Sequence, residues 1–195
     1  MPTLEQRVKF AESCIKNKDG RPWSIKGRDW ILEEFWGPCD GYKLWPNDVA
    51  SLCDTCAERS GEILEWDWKV ADNLGCADCA GLRLEPIIMT VLNLPRREGK
   101  TFNSAAFGLS TGCLTPRRFV TFMAGAKDQT DTLLQENYGV AIDQSAKLQK
   151  HCKLVGSQIR FPKTKSKIEC VATAASVTGR GRSHIIMDEA RDVPG

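Results

Sequence analysis

The sequence predicts an α/β fold: a largely parallel sheet with helices on both faces, into which a small cysteine-rich module is inserted. Three observations predict it. Beyond Pro86, short apolar runs alternate with helical stretches. One of those apolar runs leads through Gly99-Lys100-Thr101 into a helical stretch. Two Cys-x-x-Cys pairs stand in an acidic segment that has neither helical nor strand periodicity. Strands separated by helix-length crossovers pair most readily in parallel, and such sheets are covered on both faces.

Taken in order, apolar Leu4, Val8, Ala11 and Ile15 predict a helix over residues 4–17, ended by the turn Asp19-Gly20. Trp30, Ile31 and Phe35 predict a second helix over 28–36, with Gly37-Pro38 as its stop. Strands are expected at 87–94, 118–124, 158–161, 167–172 and 183–187, and helices at 100–111, 127–138 and around 142–150. The chain thus divides into an N-terminal helical segment (1–38), an inserted module (39–85) and an α/β core (86–195).

Hydrophobic residues make up 42% of the 195 residues and charged residues 27%, which excludes wholesale disorder and a coiled-coil or collagen-like fibre. The apolar run Ile87-Ile88-Met89-Thr90-Val91-Leu92 is far shorter than the roughly 20 residues that cross a bilayer. The amino terminus lacks the basic-then-apolar layout of a secretory signal, so a cytosolic protein with reduced thiols is expected. Nine cysteines, an odd number spread along the chain, suit free thiols and metal ligands better than a disulfide framework. The net charge of +2 hides an uneven distribution. Residues 51–80 carry seven acids, whereas Lys147, Lys150, Lys153, Arg160, Lys163, Lys165 and Lys167 lie in a stretch without any. That basic stretch reads either as a contact for nucleic-acid phosphates or as a solvated face.

The segment Leu94-Pro95-Arg96-Arg97-Glu98-Gly99-Lys100-Thr101 has the strand-to-helix context of a phosphate-binding loop, with Leu94 where the full pattern has glycine. In such a loop the glycine lets the backbone approach the ligand and the helix amides hold phosphate oxygens. The lysine reaches the β and γ phosphates, and the threonine hydroxyl binds Mg²⁺. About 80 residues on, the apolar run His184-Ile185-Ile186-Met187 ends in Asp188-Glu189. Asp188 is suited to hold Mg²⁺ with Thr101, and Glu189 to polarise an attacking water. Together the two motifs predict a phosphate-binding-loop NTPase sheet that takes ATP and Mg²⁺ at one crevice.

Cys53-x-x-Cys56, nineteen residues, then Cys76-x-x-Cys79 has the spacing of a four-thiolate Zn²⁺ site, a closed structural centre that replaces the core so polar a segment cannot build. Cys39 is a candidate fifth thiol in a turn. Trp66 and Trp68 alternate with Glu65 and Asp67, so they are expected to pack on one face of a small strand. His151 and His184 read as structural or surface groups. Arg180 and Arg182 read either as phosphate contacts or as a solvated loop.

On these residues the chain resembles the ATPase domain of tailed-phage terminase large subunits, the motors that package double-stranded DNA into capsids. Residues 95–101 are similar to that family's Arg-x-x-Gly-Lys-Thr/Ser loop, residues 119–129 to its next strand and turn, and residues 178–190 to its Arg-Gly stretch and acidic strand. Residues 21–30 resemble its adenine-side segment without the family's glutamine. The likeness covers most of 20–37 and 86–194 and leaves out the cysteine module. It implies that Arg96 stabilises phosphate charge beside Lys100, within a nucleotide-binding set of Arg96, Arg97, Glu98, Gly99, Lys100, Thr101 and Asp188. Glu189, Arg96 and Lys100 would then be the catalytic groups. It also implies partners in double-stranded DNA, a small terminase subunit, a capsid portal and further copies in a ring, in the host cytoplasm. A coupling motif, the rest of the ATPase sheet and a nuclease domain would follow residue 195 in that family. Two other readings compete: a nucleic-acid helicase or translocase of related core, and an inactive zinc-binding interaction module.

Overall fold

The computed structural model describes residues 2–64, 74, 76–87, 99–124, 126–172 and 183–187. The chain forms two compact units, residues 27–93 and the two stretches 1–26 and 94–195.

The larger unit is built on a five-stranded mixed sheet, in the order β5-β6-β7-β4-β8. Its strands are β4 (Phe119–Met123), β5 (Lys153–Val155), β6 (Gln158–Phe161), β7 (Ser166–Val171) and β8 (His184–Met187). β7, β4 and β8 run parallel, whereas β5 and β6 pair antiparallel at the other side. The expected parallel pairing is therefore present on the β7-β4-β8 side of the sheet. β5, which lacks the length and alternation to register in the sequence, adds an antiparallel hairpin at the edge.

Helix α4 (Lys100–Leu114) is the centre of this unit, and every residue from Asn103 to Cys113 is buried. A helix apolar or small on all sides belongs inside a protein, and Ala105, Ala106, Gly108, Ser110 and Gly112 let neighbours close on it. A Cβ at Gly112 would lie 2.4 Å from the ring of Phe161, itself 1% exposed. Gly112→Ala is therefore expected to lower stability by about 1–2 kcal/mol, because overpacking outweighs the ~1 kcal/mol of helix propensity gained. A lower urea midpoint would show it, and an unchanged midpoint would contradict it.

Helix α1 (Leu4–Cys14) opens with a capping box between Thr3 and Gln6 and packs on α4. Arg7 is 2% exposed, donates to the Thr111 hydroxyl at 2.7 Å and lies over the Phe107 ring. The helix stops three residues short of the expected Asn17, as Ile15 turns extended and its carbonyl accepts from the Trp23 amide. The expected helix over 127–138 runs on as one rod from Lys127 through a π-helical stretch, Leu133–Gly139, to Asp143. The expected single helix around 142–150 is broken at Ser145, whose side chain caps a new short helix, Ala146–Gln149. Cys14, Cys113, Cys152 and Cys170 are buried in this unit as reduced, core-filling thiols.

In the smaller unit, Gly37-Pro38 does not end the helix at Ile31–Trp36. A further helical turn, α2 (Gly37–Asp40), follows directly and accommodates Pro38 within the helical run. A three-stranded antiparallel sheet comes next, in the order β2-β1-β3, from β1 (Tyr42–Pro46), β2 (Ile63–Leu64) and β3 (Leu82–Pro86). None of these three strands is expected from the sequence, where the one small strand predicted in the module is that of Trp66 and Trp68. The expected strand at 87–94 and the pair Trp66 and Trp68 lie outside the described residues, Ile87 apart.

Candidate metal centre and phosphate-loop helix

The four cysteines reach one point from two local turns. Cys53 caps helix α3 (Asp54–Arg59) and Cys56 sits in its first turn, so one helix start presents both thiols. Cys76 and Cys79 come from a tight bend that ends in Gly81, whose φ of 75° only glycine adopts without strain. That conformation aims the Gly81 amide at Cys79 Sγ, to which it donates at 3.2 Å. β1 and β3 hold the two turns together: Asn47 on the loop after β1 donates through Nδ2 to the Ala80 carbonyl at 2.9 Å.

All four sulfurs lie within 4.8 Å of one another, and Cys53 Sγ is 3.8 Å from Cys76 Sγ. A tetrahedral ion with Zn–S bonds of about 2.3 Å needs sulfurs about 3.8 Å apart. The donor set therefore fits one metal ion of that size, with no position left over for Cys39, which is not in the cluster. The backbone amides of Cys53 and Gly81 pull the Cys79 thiol down to about 6. Cys56, hydrogen bonded to Cys79 and withdrawn from water, is pushed up to about 12. The amides thus favour a thiolate at Cys79, the form a metal requires, and neighbouring amides of this kind both orient and charge-balance a thiolate ligand. Around the thiols, Leu44, Cys56 and Leu82 form a small buried cluster, with Leu52, Leu64, Leu74 and Leu84 packed against it.

In the larger unit, Gly99 precedes α4 with φ 73°, the left-handed conformation that glycine accepts without penalty. Lys100 and Thr101 form the first turn of the helix. The helix runs antiparallel to the parallel strands. Near its end, the Gly112 carbonyl accepts from Thr164 Oγ1 at 2.6 Å and the Thr115 carbonyl from Ser166 Oγ at 2.7 Å, beside the first residue of β7. Further back, Gly108 faces Ile168, and Phe107 meets the His184 ring at 5.4 Å. From Phe107 to Lys100 the helix rises about 10 Å, and from His184 to Met187 the strand advances about 10 Å. The start of α4 therefore lies toward the carboxyl ends of β7 and β8, the side on which open α/β sheets bind ligands.

Two residues not named in the predicted site meet near the start of α4. The Trp23 indole donates to Asn103 Oδ1 at 2.9 Å, with both residues buried. The bond fixes the Asn103 amide so that Nδ2 lies on the Gly99 side, 3.5 Å from where a Cβ of Gly99 would be. Nδ2 is buried and, among the described residues, has no hydrogen-bond partner. Nothing in a lone Asn one turn into a helix signals this, because the orientation comes from a tryptophan 80 positions away. Arg96, Arg97, Glu98, Asp188 and Glu189 lie outside the described residues, as do Arg180 and Arg182. His184 and His151 pack edge-on against Phe107 and Phe10.

The fold and these sites define a mixed α/β protein with a four-cysteine cluster able to hold a metal ion. No helix among the described residues is long and apolar enough to cross a membrane. No protein-family model matches the chain, and no curated protein does.

Proposed function

We propose that this chain is the ATP-hydrolysing part of a nucleic-acid motor of the terminase large-subunit type, with Zn²⁺ in its cysteine module. The observation that carries the reading is the left-handed Gly99 followed by Lys100 and Thr101 at the start of a helix that packs through Phe107 on the first residue of β8. The chain continues from Met187 directly into Asp188-Glu189. In this reading Lys100, with Arg96, balances phosphate charge. Thr101 and Asp188 hold Mg²⁺, and Glu189 orients water. The unpartnered Asn103 Nδ2 beside Gly99 supplies one further donor toward the loop. Double-stranded DNA is the substrate moved, and the zinc module serves as a closed structural element.

A ligand that binds the native state raises its stability by about 2.7 kcal/mol at 100 times its Kd. MgATP is therefore expected to raise the melting temperature of the chain by several degrees beyond Mg²⁺ alone, and Lys100→Ala to abolish that rise. An equal rise in both proteins would end the nucleotide reading.

A further inference from the structure

The hairpin at the edge of the large sheet carries a row of cations, and Glu169, an acid on the same face opposite Gln158, is buried and makes no salt bridge to them among the described residues. Lys153 stands opposite Arg160 across β5 and β6, and Arg160 stands opposite Lys167 across β6 and β7. Residues directly opposite in antiparallel strands share a face, and neighbouring strands are about 4.8 Å apart, so three positive side chains fall in a line about 10 Å long. Ile159, Phe161 and Ile168 alternate with them and are buried toward α4, which places the cations on the other face. Lys153 and Arg160 are exposed, and Lys167 is half-buried.

Like charges directly opposite one another destabilise a sheet. Here no acid occurs between Asp143 and Glu169. Among the described residues, no carboxylate makes a salt bridge to any of the three. Lys167 is held instead by the ring of Phe119, its neighbour on β4, with Nζ 3.6 Å from the centroid. A ring face restrains the ammonium without cancelling its charge. Lys163 and Lys165 extend the patch on the exposed turn between β6 and β7.

We infer that the row Lys153–Arg160–Lys167 is a binding site for the phosphate backbone of duplex DNA. An evenly spaced line of unbalanced cations on a strand surface matches an evenly spaced line of phosphates, and such contacts position a protein without reading bases. The inference rests on the proposed function for its choice of duplex DNA as the polyanion, while the cationic row itself is independent of it.

The test is binding of the full chain to a fluorescent duplex of arbitrary sequence, without nucleotide, across a salt series. Each phosphate contact contributes about 0.9 to the slope of log affinity against log salt, so K153Q/R160Q/K167Q is expected to lower that slope by about 3. Its affinity at low salt is expected to fall at least about tenfold, equally for unrelated sequences. Arg160→Gln alone is expected to lower the slope by about 1. The urea midpoint of the triple variant should be unchanged or higher, since repulsion is removed. An unchanged slope overturns the site, as does a parent chain that binds anionic phosphatidylserine vesicles but not duplex at low salt. MgATP stabilisation is read on the same proteins: a normal nucleotide response with unaltered DNA binding overturns the row and leaves the ATPase reading intact.

Discussion

Removal of metal from the four-cysteine cluster is expected to unfold the segment 42–86 around it while the five-stranded sheet of the larger unit keeps its secondary structure. The reason is the size of the core around the thiols. Leu44, Cys56 and Leu82 are its buried members, and one of the three is itself a ligand candidate. Small cysteine-rich segments with so little apolar burial usually need a metal or disulfide to fold. Structural Zn²⁺ contributes about 10–16 kcal/mol in small cysteine-rich folds, far more than those leucines could replace. Zinc analysis of chain purified without chelator should find about one equivalent, and less than about half would count against the site. Hydrogen exchange read before and after chelation should then show protection lost over 42–86 and retained over 100–114. Cys56→Ser should reproduce the chelated pattern in the presence of zinc. Retention of protection in the stripped chain would mean that the thiols are core residues that happen to meet.

The second large effect is expected on ATP hydrolysis. Lys100→Ala should reduce kcat/KM by about 100-fold or more, the scale of losing one preorganised charge partner of a transition state. Glu189→Gln should leave the MgATP-induced rise in melting temperature in place and lower kcat by a similar factor, because in the proposed function its carboxylate acts on water and not on the bound nucleotide. The contrast between the two variants separates binding from chemistry: loss of hydrolysis with loss of binding for the first, and loss of hydrolysis alone for the second. If Lys100→Ala hydrolysed ATP at the parent rate, the loop would have no part in the reaction.

How much of this was readable beforehand differs by element. The start of α4 was legible because Gly-Lys-Thr after an apolar run is a local pattern, and the helix it opens runs three residues past the expected Thr111 to Leu114. β4 was placed to within a residue at each end for the same reason, with five consecutive strand-forming positions. The break at Ser145 was misread because apolar Ile142 and Leu148 keep helical spacing across it, while the capping hydroxyl that splits them acts on one amide alone. The strands β1 to β3 escaped notice because their pairing partners lie about 20 and 40 residues apart. Their side chains, facing a cluster of thiols, show no clean alternation.

What the sequence determined by itself is local chemistry. A Cys-x-x-Cys turn offers two thiols to one point, a glycine before Lys-Thr permits a left-handed step into a helix, and a stretch free of acids is positive wherever it lands. What tertiary structure decided is coincidence in space. It brought Cys53 to Cys76 across 23 positions and held the Asn103 amide with a distant indole. It also lined up Lys153, Arg160 and Lys167 on one face through strand register. Spacing along a chain governs what neighbours on a turn or strand can do, but register and crossover set which distant groups meet, and those are chosen by burial of the whole core.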